Sequence, residues 1–180
     1  MVRSAEKLPS PRQDMMLKEL HSDHVTENYV AWMNNPEIVR YTEQKFMFHT
    51  METVSKFVDE IWEAEDSFLF GIFMDYQHIG NIKLGPVNRH HQHAALSYII
   101  GDKNYWGKGV ASSAIAAVTA FGFSKIGLRK IWASCFDENK ASIKALERNG
   151  FTIEGRLRHH LMINGRCADQ IVLGKFSDQL

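Results

Sequence analysis

Apolar and polar positions along this chain change period several times, and each change marks an element. Met15 to Leu20 reads as a first strand. From His24 to Met33 the apolar residues stand at 25, 29, 30, 32 and 33, the spacing of one helix face. Asn34-Asn35-Pro36 interrupts that helix, because the residue before a proline avoids the helical region. Pro36, suited to a first helical position, predicts a second short helix as far as Tyr41. Thr50 then caps a helix with apolar positions at 51, 54, 57, 58, 61 and 62. Ser67 to Met74 and His78 to Leu84 read as two strands joined by an Asp75-Tyr76-Gln77 hairpin.

After the polar, histidine-rich stretch from Asn88 to His93, the run Ala94 to Gly101 reads as a strand. Val110, Ala114, Ala117, Val118 and Phe121 then repeat with helical spacing. Ile131 to Phe136 is a strand, followed by a short helix opened by Asp137 or Asn139 and closed by Gly150 in the left-handed position. Phe151 to Arg158 and Cys167 to Phe176 supply two last strands, with Asn164-Gly165 as the turn between them. By itself this order predicts one α+β domain over 15–180, preceded by a flexible tail over 1–14.

Composition narrows the class. A chain of 180 residues is long enough for one sizeable core, and 44% hydrophobic with 23% charged residues is ordinary for a globular protein. Twenty-one basic against 21 acidic residues leave no net charge and no electrostatic case for nucleic acid or an anionic membrane. Two distant cysteines, Cys135 and Cys167, predict reduced thiols. No membrane-length apolar run or apolar signal core occurs, so the expected location is cytoplasmic. His90-His91, His93 and His159-His160 lack the spacing and the carboxylate or cysteine partners of a metal site, and no metal is expected.

Candidate chemistry centres on Asn104-Tyr105-Trp106-Gly107-Lys108-Gly109-Val110-Ala111-Ser112. A strand, a glycine turn and a helix N-terminus make an anion site, where unpaired N–H groups and the helix dipole face the ligand. A second stretch, from Ile131 through Asn139 and Ser142 to Gly150-Phe151, follows about thirty residues on. Together the two resemble the GNAT superfamily of N-acetyltransferases, over roughly residues 15 to 177. The likeness is greatest to the branch acting on ribosomal proteins and nucleotide-linked amino sugars. It implies a mostly antiparallel central sheet, splayed in the middle and flanked by helices, with acetyl-CoA as cosubstrate.

By that resemblance the backbone from Trp106 to Ser112 cradles the pyrophosphate, and Asn139 and Ser142 form a second cofactor contact. Backbone N–H groups of Tyr98, Ile99 and Ile100 polarise the thioester carbonyl. Many members place a tyrosine acid seven residues after the asparagine. Here that position is Leu146, and Ser142 on the same helix face is the substitute. The usual strand glutamate is also missing, the region reading Ala94-Ala95. Tyr98, Glu154, Asp169 and His159 or His160 remain as candidates for the base. Arg40, Tyr41, Lys45, Phe46 and His159 are the expected acceptor contacts.

The function expected is acetyl transfer to an amine of a nucleotide-linked amino sugar in bacterial surface-glycan biosynthesis. Acetylation of a protein N-terminus is the alternative, and a degenerate acetyl-CoA-binding module is the reading from another class. Whether the chain forms a homodimer is left open.

Overall fold

The computed structural model describes residues 7–178. Seven strands form one sheet: β1 (Met15–Glu19), β2 (Phe68–Met74), β3 (Gln77–Asn88), β4 (His93–Ile100), β5 (Lys130–Phe136), β6 (Thr152–Ile163) and β7 (Arg166–Phe176). Their order across the sheet is β1-β2-β3-β4-β5-β7-β6. Every neighbouring pair is antiparallel except β4 and β5, which are parallel. Four helices accompany it: α1 (Glu27–Met33), α2 (Met51–Glu63), α3 (Val110–Phe121) and α4 (Lys140–Glu147).

Alternation along the strands sends side chains to two faces. On β2, Phe68, Phe70, Ile72 and Met74 join the main core with Ala114, Ile115 and Val118 of α3 and Leu146 of α4. Leu69 and Phe73 point the other way and pack with Tyr29 of α1 and Val54 and Val58 of α2. The helices α1 and α2 therefore cover one face, and α3 and α4 the other.

The β4–β5 pair decides where a ligand can enter. It is in register only at His93–Lys130, Ala94–Ile131 and Ala95–Trp132. Beyond that point β4 continues to pair with β3, and β5 with β7. The facing edges of 96–100 and 133–136 thus diverge into a V, open at the C-terminal ends of both strands.

Local chemistry explains the element ends. Thr50 caps α2 by accepting from the Thr53 N–H, and Thr26 does the same for α1 through Tyr29. Asn139 caps α4, and Gly150, at φ 79°, turns the chain out of it. Asp75 and Tyr76, then Asn164 and Gly165, take positive φ at the two hairpin tips.

Three elements differ from the sequence expectation. The short helix expected over 36–41 is a series of turns, because the Asn35 carbonyl takes both the Ile38 and Val39 N–H groups and its side chain takes that of Glu37. A 3-10 turn at Glu43–Phe46 follows instead. Strand β3 does not stop at Leu84 but resumes its pairing at Val87–Ala94 after an irregular step. Residues 1–6 of the expected tail lie outside the described residues, but Leu8 donates its N–H to the Leu17 carbonyl at 3.0 Å, so the stretch before β1 lies along it.

Candidate active site

The glycine turn is built from the end of β4. The Gly101 and Asp102 N–H groups both bond the Ile79 carbonyl, at 2.8 and 3.1 Å. A side chain at Gly101 would collide with Trp32, whose ring lies 2.0 Å from the position a Cβ would take. Asp102 caps a 3-10 turn over Lys103–Tyr105, and the Trp106 indole N–H bonds the Ile100 carbonyl at 2.8 Å. Gly107 and Gly109 then adopt φ of 72° and 78° with open space where a Cβ would stand. Glycine is needed there for the left-handed backbone. Gly109 caps α3 without a side chain, so the N–H groups of Val110, Ala111 and Ser112 are left to an outside acceptor. Lys108 stands over the Tyr105 ring at 5.8 Å. The Ser112 hydroxyl takes the Asn149 amide at 2.9 Å, tying α3 to the end of α4.

Across the V, Tyr98 of β4 meets Ser142 of α4, their hydroxyl oxygens 2.7 Å apart. Burial pushes the Tyr98 hydroxyl up to about 12, partly offset by the Ser142 bond, so it is a proton donor at any physiological pH. The Ser142 N–H donates to the Asn139 side chain at 3.2 Å, which places Asn139, Ser142 and Tyr98 in one chain of contacts. Burial raises the Cys135 thiol of β5 to about 11, with Ser142 partly offsetting the rise. The sequence reading missed Cys135, although it continues the Ile131, Ala133, Cys135 series that faces the main core. Leu146, at the position of the family tyrosine, is 1% exposed and part of that core.

Other expected residues stand elsewhere. Glu154 pairs with Lys130 at 2.6 Å. Lys130 pairs with His93 at the closed end of the V, roughly 17–20 Å along the strand from Cys135 and Phe136. A carboxylate there does not reach the Tyr98–Ser142 contact. Asp169 accepts the His159 backbone N–H at 2.8 Å and the Arg156 Nε, and these contacts, in that order, hold its carboxyl below the usual range. Arg156 also reaches Asp137 at 3.1 Å. His159 sits at φ 53° where β6 loses register, and it enters this cluster through its backbone. His159 and His160 are both exposed.

Arg40, Tyr41, Lys45 and Phe46 gather beside the last residue of β5. Tyr41 packs on Phe136 at 5.6 Å, and the Arg40 guanidinium lies 5.0 Å above Tyr41 and 3.7 Å from Glu138. Lys45 donates to the Met162 carbonyl at 2.9 Å and sits 4.3 Å over Phe136 and 4.9 Å over Phe46. A pocket of about 410 Å³ opens between this segment and the β6–β7 hairpin. Phe46 and Met47, which line it, are 66% and 62% exposed, and the next residue, Phe48, is 81% exposed. Among the described residues, no group of three or more His, Cys, Asp or Glu is arranged to hold a metal ion.

A splayed β4–β5 pair with a glycine turn at its open end defines a class of acyl-CoA-dependent transferases. The sequence profile of the acetyltransferase (GNAT) domain matches residues 14–152, and the chain belongs to that family. Spermidine N(1)-acetyltransferase of Escherichia coli is 27% identical over 146 residues, covering 81% of this chain and 77% of its own. Two solved structures share the fold. RimL, a ribosomal L7/L12 alpha-N-protein acetyltransferase in complex with coenzyme A, has a TM-score of 0.86 at 20% identity, covering 96% of this chain and 99% of that one. The ribosomal-protein-S5-alanine acetyltransferase from Vibrio fischeri has 0.82 at 23%, covering 95% and 98%. The protein is thus an acetyl-CoA-dependent N-acetyltransferase. These relatives place polyamine and protein N-terminal acetyltransferases beside it and lend the amino-sugar expectation no support.

Proposed function

We propose that the acceptor is the α-amino group of a peptide or protein N-terminus. The observation that carries this reading is the state of the carboxylates at the open end of the V. Asp137 and Asp169 are held by Arg156, and Glu138 by Arg166 at 3.0 Å and by Arg40. The His159 N–H and Arg156 hold the Asp169 carboxyl below its usual range, which makes it a poor base.

An acceptor that is already substantially neutral suits such a site. At pH 7.5 an α-amino group of pKa about 7.8 is roughly one-third neutral, whereas an alkylamine of pKa about 10.4 is neutral in roughly one molecule in 800. That gap, about 3 kcal/mol, is the work an active-site base would have to do for a polyamine. The charges of the acceptor face agree. The pocket beside the β6–β7 hairpin is lined by Lys45 and Arg40, cations that repel a polyamine.

In this mechanism the turn N–H groups from Gly109 to Ser112 hold the pyrophosphate. The β4 edge at Tyr98 to Ile100 places backbone N–H groups at the thioester oxygen. The neutral amine attacks the carbonyl carbon and the C–S bond breaks. Ser142 gives a proton to the departing thiolate and takes one from Tyr98, the amine loses its proton to water, and water returns a proton to Tyr98, so no tyrosinate is left.

Thiol release from acetyl-CoA tests the acceptor. The panel holds a peptide with a free N-terminus, the same peptide N-blocked but containing lysine, spermidine, and a UDP-linked amino sugar. Turnover on the free N-terminus alone is expected, with a rate that rises with pH through the α-amine pKa. Turnover on spermidine or the nucleotide sugar with silent peptides overturns the reading.

A further inference from the structure

We propose that Arg12 is a positioning residue for acetyl-CoA, fixing the pyrophosphate turn from behind. Arg12 lies two residues before the stretch matched by the family profile, and 96 residues before the turn it touches. Its Nε and one terminal nitrogen bond the two Asp14 oxygens at 2.9 and 2.6 Å. The other terminal nitrogen donates to the Lys108 carbonyl at 2.7 Å. Asp14 therefore aims a rigid fork, and the remaining donor of that fork meets the turn. The segment carrying it is itself tied down, through the Leu8–Leu17 bridge and the Arg12 N–H on the Ser10 hydroxyl at 3.0 Å.

The turn needs such a hold. Gly107 and Gly109 flank Lys108 with open space where their side chains would stand, so no side chain of their own restrains the peptide planes. In a planar trans peptide, C=O and the following N–H point in opposite directions. With the Lys108 carbonyl drawn to Arg12, the Gly109 N–H is directed away from it. A peptide flip between the two glycines would turn that donor away from the anion, and the Arg12 bond opposes the flip.

The test uses Arg12→Ala and Asp14→Asn, the second releasing the fork without removing the cation. CoA affinity is measured by calorimetry, which needs no acceptor and so stands apart from the identity of the amine. Loss of one charge-assisted bond at a partly exposed site predicts a Kd for CoA raised about fivefold to tenfold in Arg12→Ala and less in Asp14→Asn. The KM for acetyl-CoA should rise in parallel, with kcat within about twofold. Acetyl-pantetheine, which has no pyrophosphate, should be used equally well by both variants and by the wild-type protein. An unchanged Kd for CoA, or an equal loss with acetyl-pantetheine, overturns the proposal.

Discussion

Replacing Ser142 with alanine removes the hydroxyl 2.7 Å from Tyr98 and leaves the α4 cap intact, since that bond comes from the Ser142 backbone N–H. General acid catalysis is commonly worth 10²- to 10⁴-fold. A thiol of pKa about 8.5 is a good leaving group, so the effect should fall at or just below the bottom of that range, roughly 30- to 100-fold in kcat, or about 2–3 kcal/mol. Tyr98→Phe keeps the ring and removes the proton source, and should cost roughly tenfold. If the two hydroxyls act as one relay, the double variant falls no further than Ser142→Ala, within about threefold. Independent roles would multiply to roughly 300- to 1,000-fold. The lost hydrogen bond costs about 1 kcal/mol of stability, or about 2–4 °C in Tm for a domain of this size, too little to unfold the protein. Initial rates of thiol release at saturating acetyl-CoA, followed by single-turnover measurements, separate chemistry from product release. A Ser142→Ala enzyme within threefold of wild type, or multiplicative losses, refutes the relay.

Two further outcomes follow from other parts of the structure. Glu154→Gln should leave kcat within about twofold and change stability by no more than about 1 kcal/mol, because its partner Lys130 is at the closed end of the V; a hundredfold loss in thiol release would restore Glu154 to the chemistry. Burial among Tyr29, Trp32 and Phe73 lowers the His78 pKa below its ordinary 6.5, so the folded state resists a proton that the unfolded chain accepts. Stability is then complete above about pH 6.5 and declines as pH falls below it, and His24, also lowered by burial, acts in the same sense. Thermal melts should show a lower Tm at pH 5.5 than at 7.5, with a shallower slope in His78→Gln; an identical slope would remove His78 from the account.

The sequence determined the parts of this protein whose causes are local. Thr50, Asn139 and Gly150 are capping residues by their own chemistry, and each ends a helix where the pattern placed it. Asn164-Gly165 needs positive φ at both positions, which these two residues tolerate best, so the hairpin was legible. The glycine turn was legible for the same reason, because its geometry is a property of the backbone. Asn35 shows where local reading fails. Proline at the next position suggested a helix, but the Asn35 carbonyl and side chain captured three N–H groups and wound the segment into turns.

Tertiary structure decided which chemical groups meet. Tyr98 and Ser142 are 44 residues apart and touch only because β4 leaves β5 after three paired residues and α4 packs over the gap. Glu154 and Asp169 looked equivalent as carboxylates on late strands. Pairing put one beside Lys130 at the closed end and the other under Arg156. No spacing rule carries that information, since strand order β5-β7-β6 and the register of each pair set which side chains share a neighbourhood. Arg12 is the extreme case. Nothing near it in sequence names Lys108, and only the return of the chain along β1 brings the guanidinium to the turn.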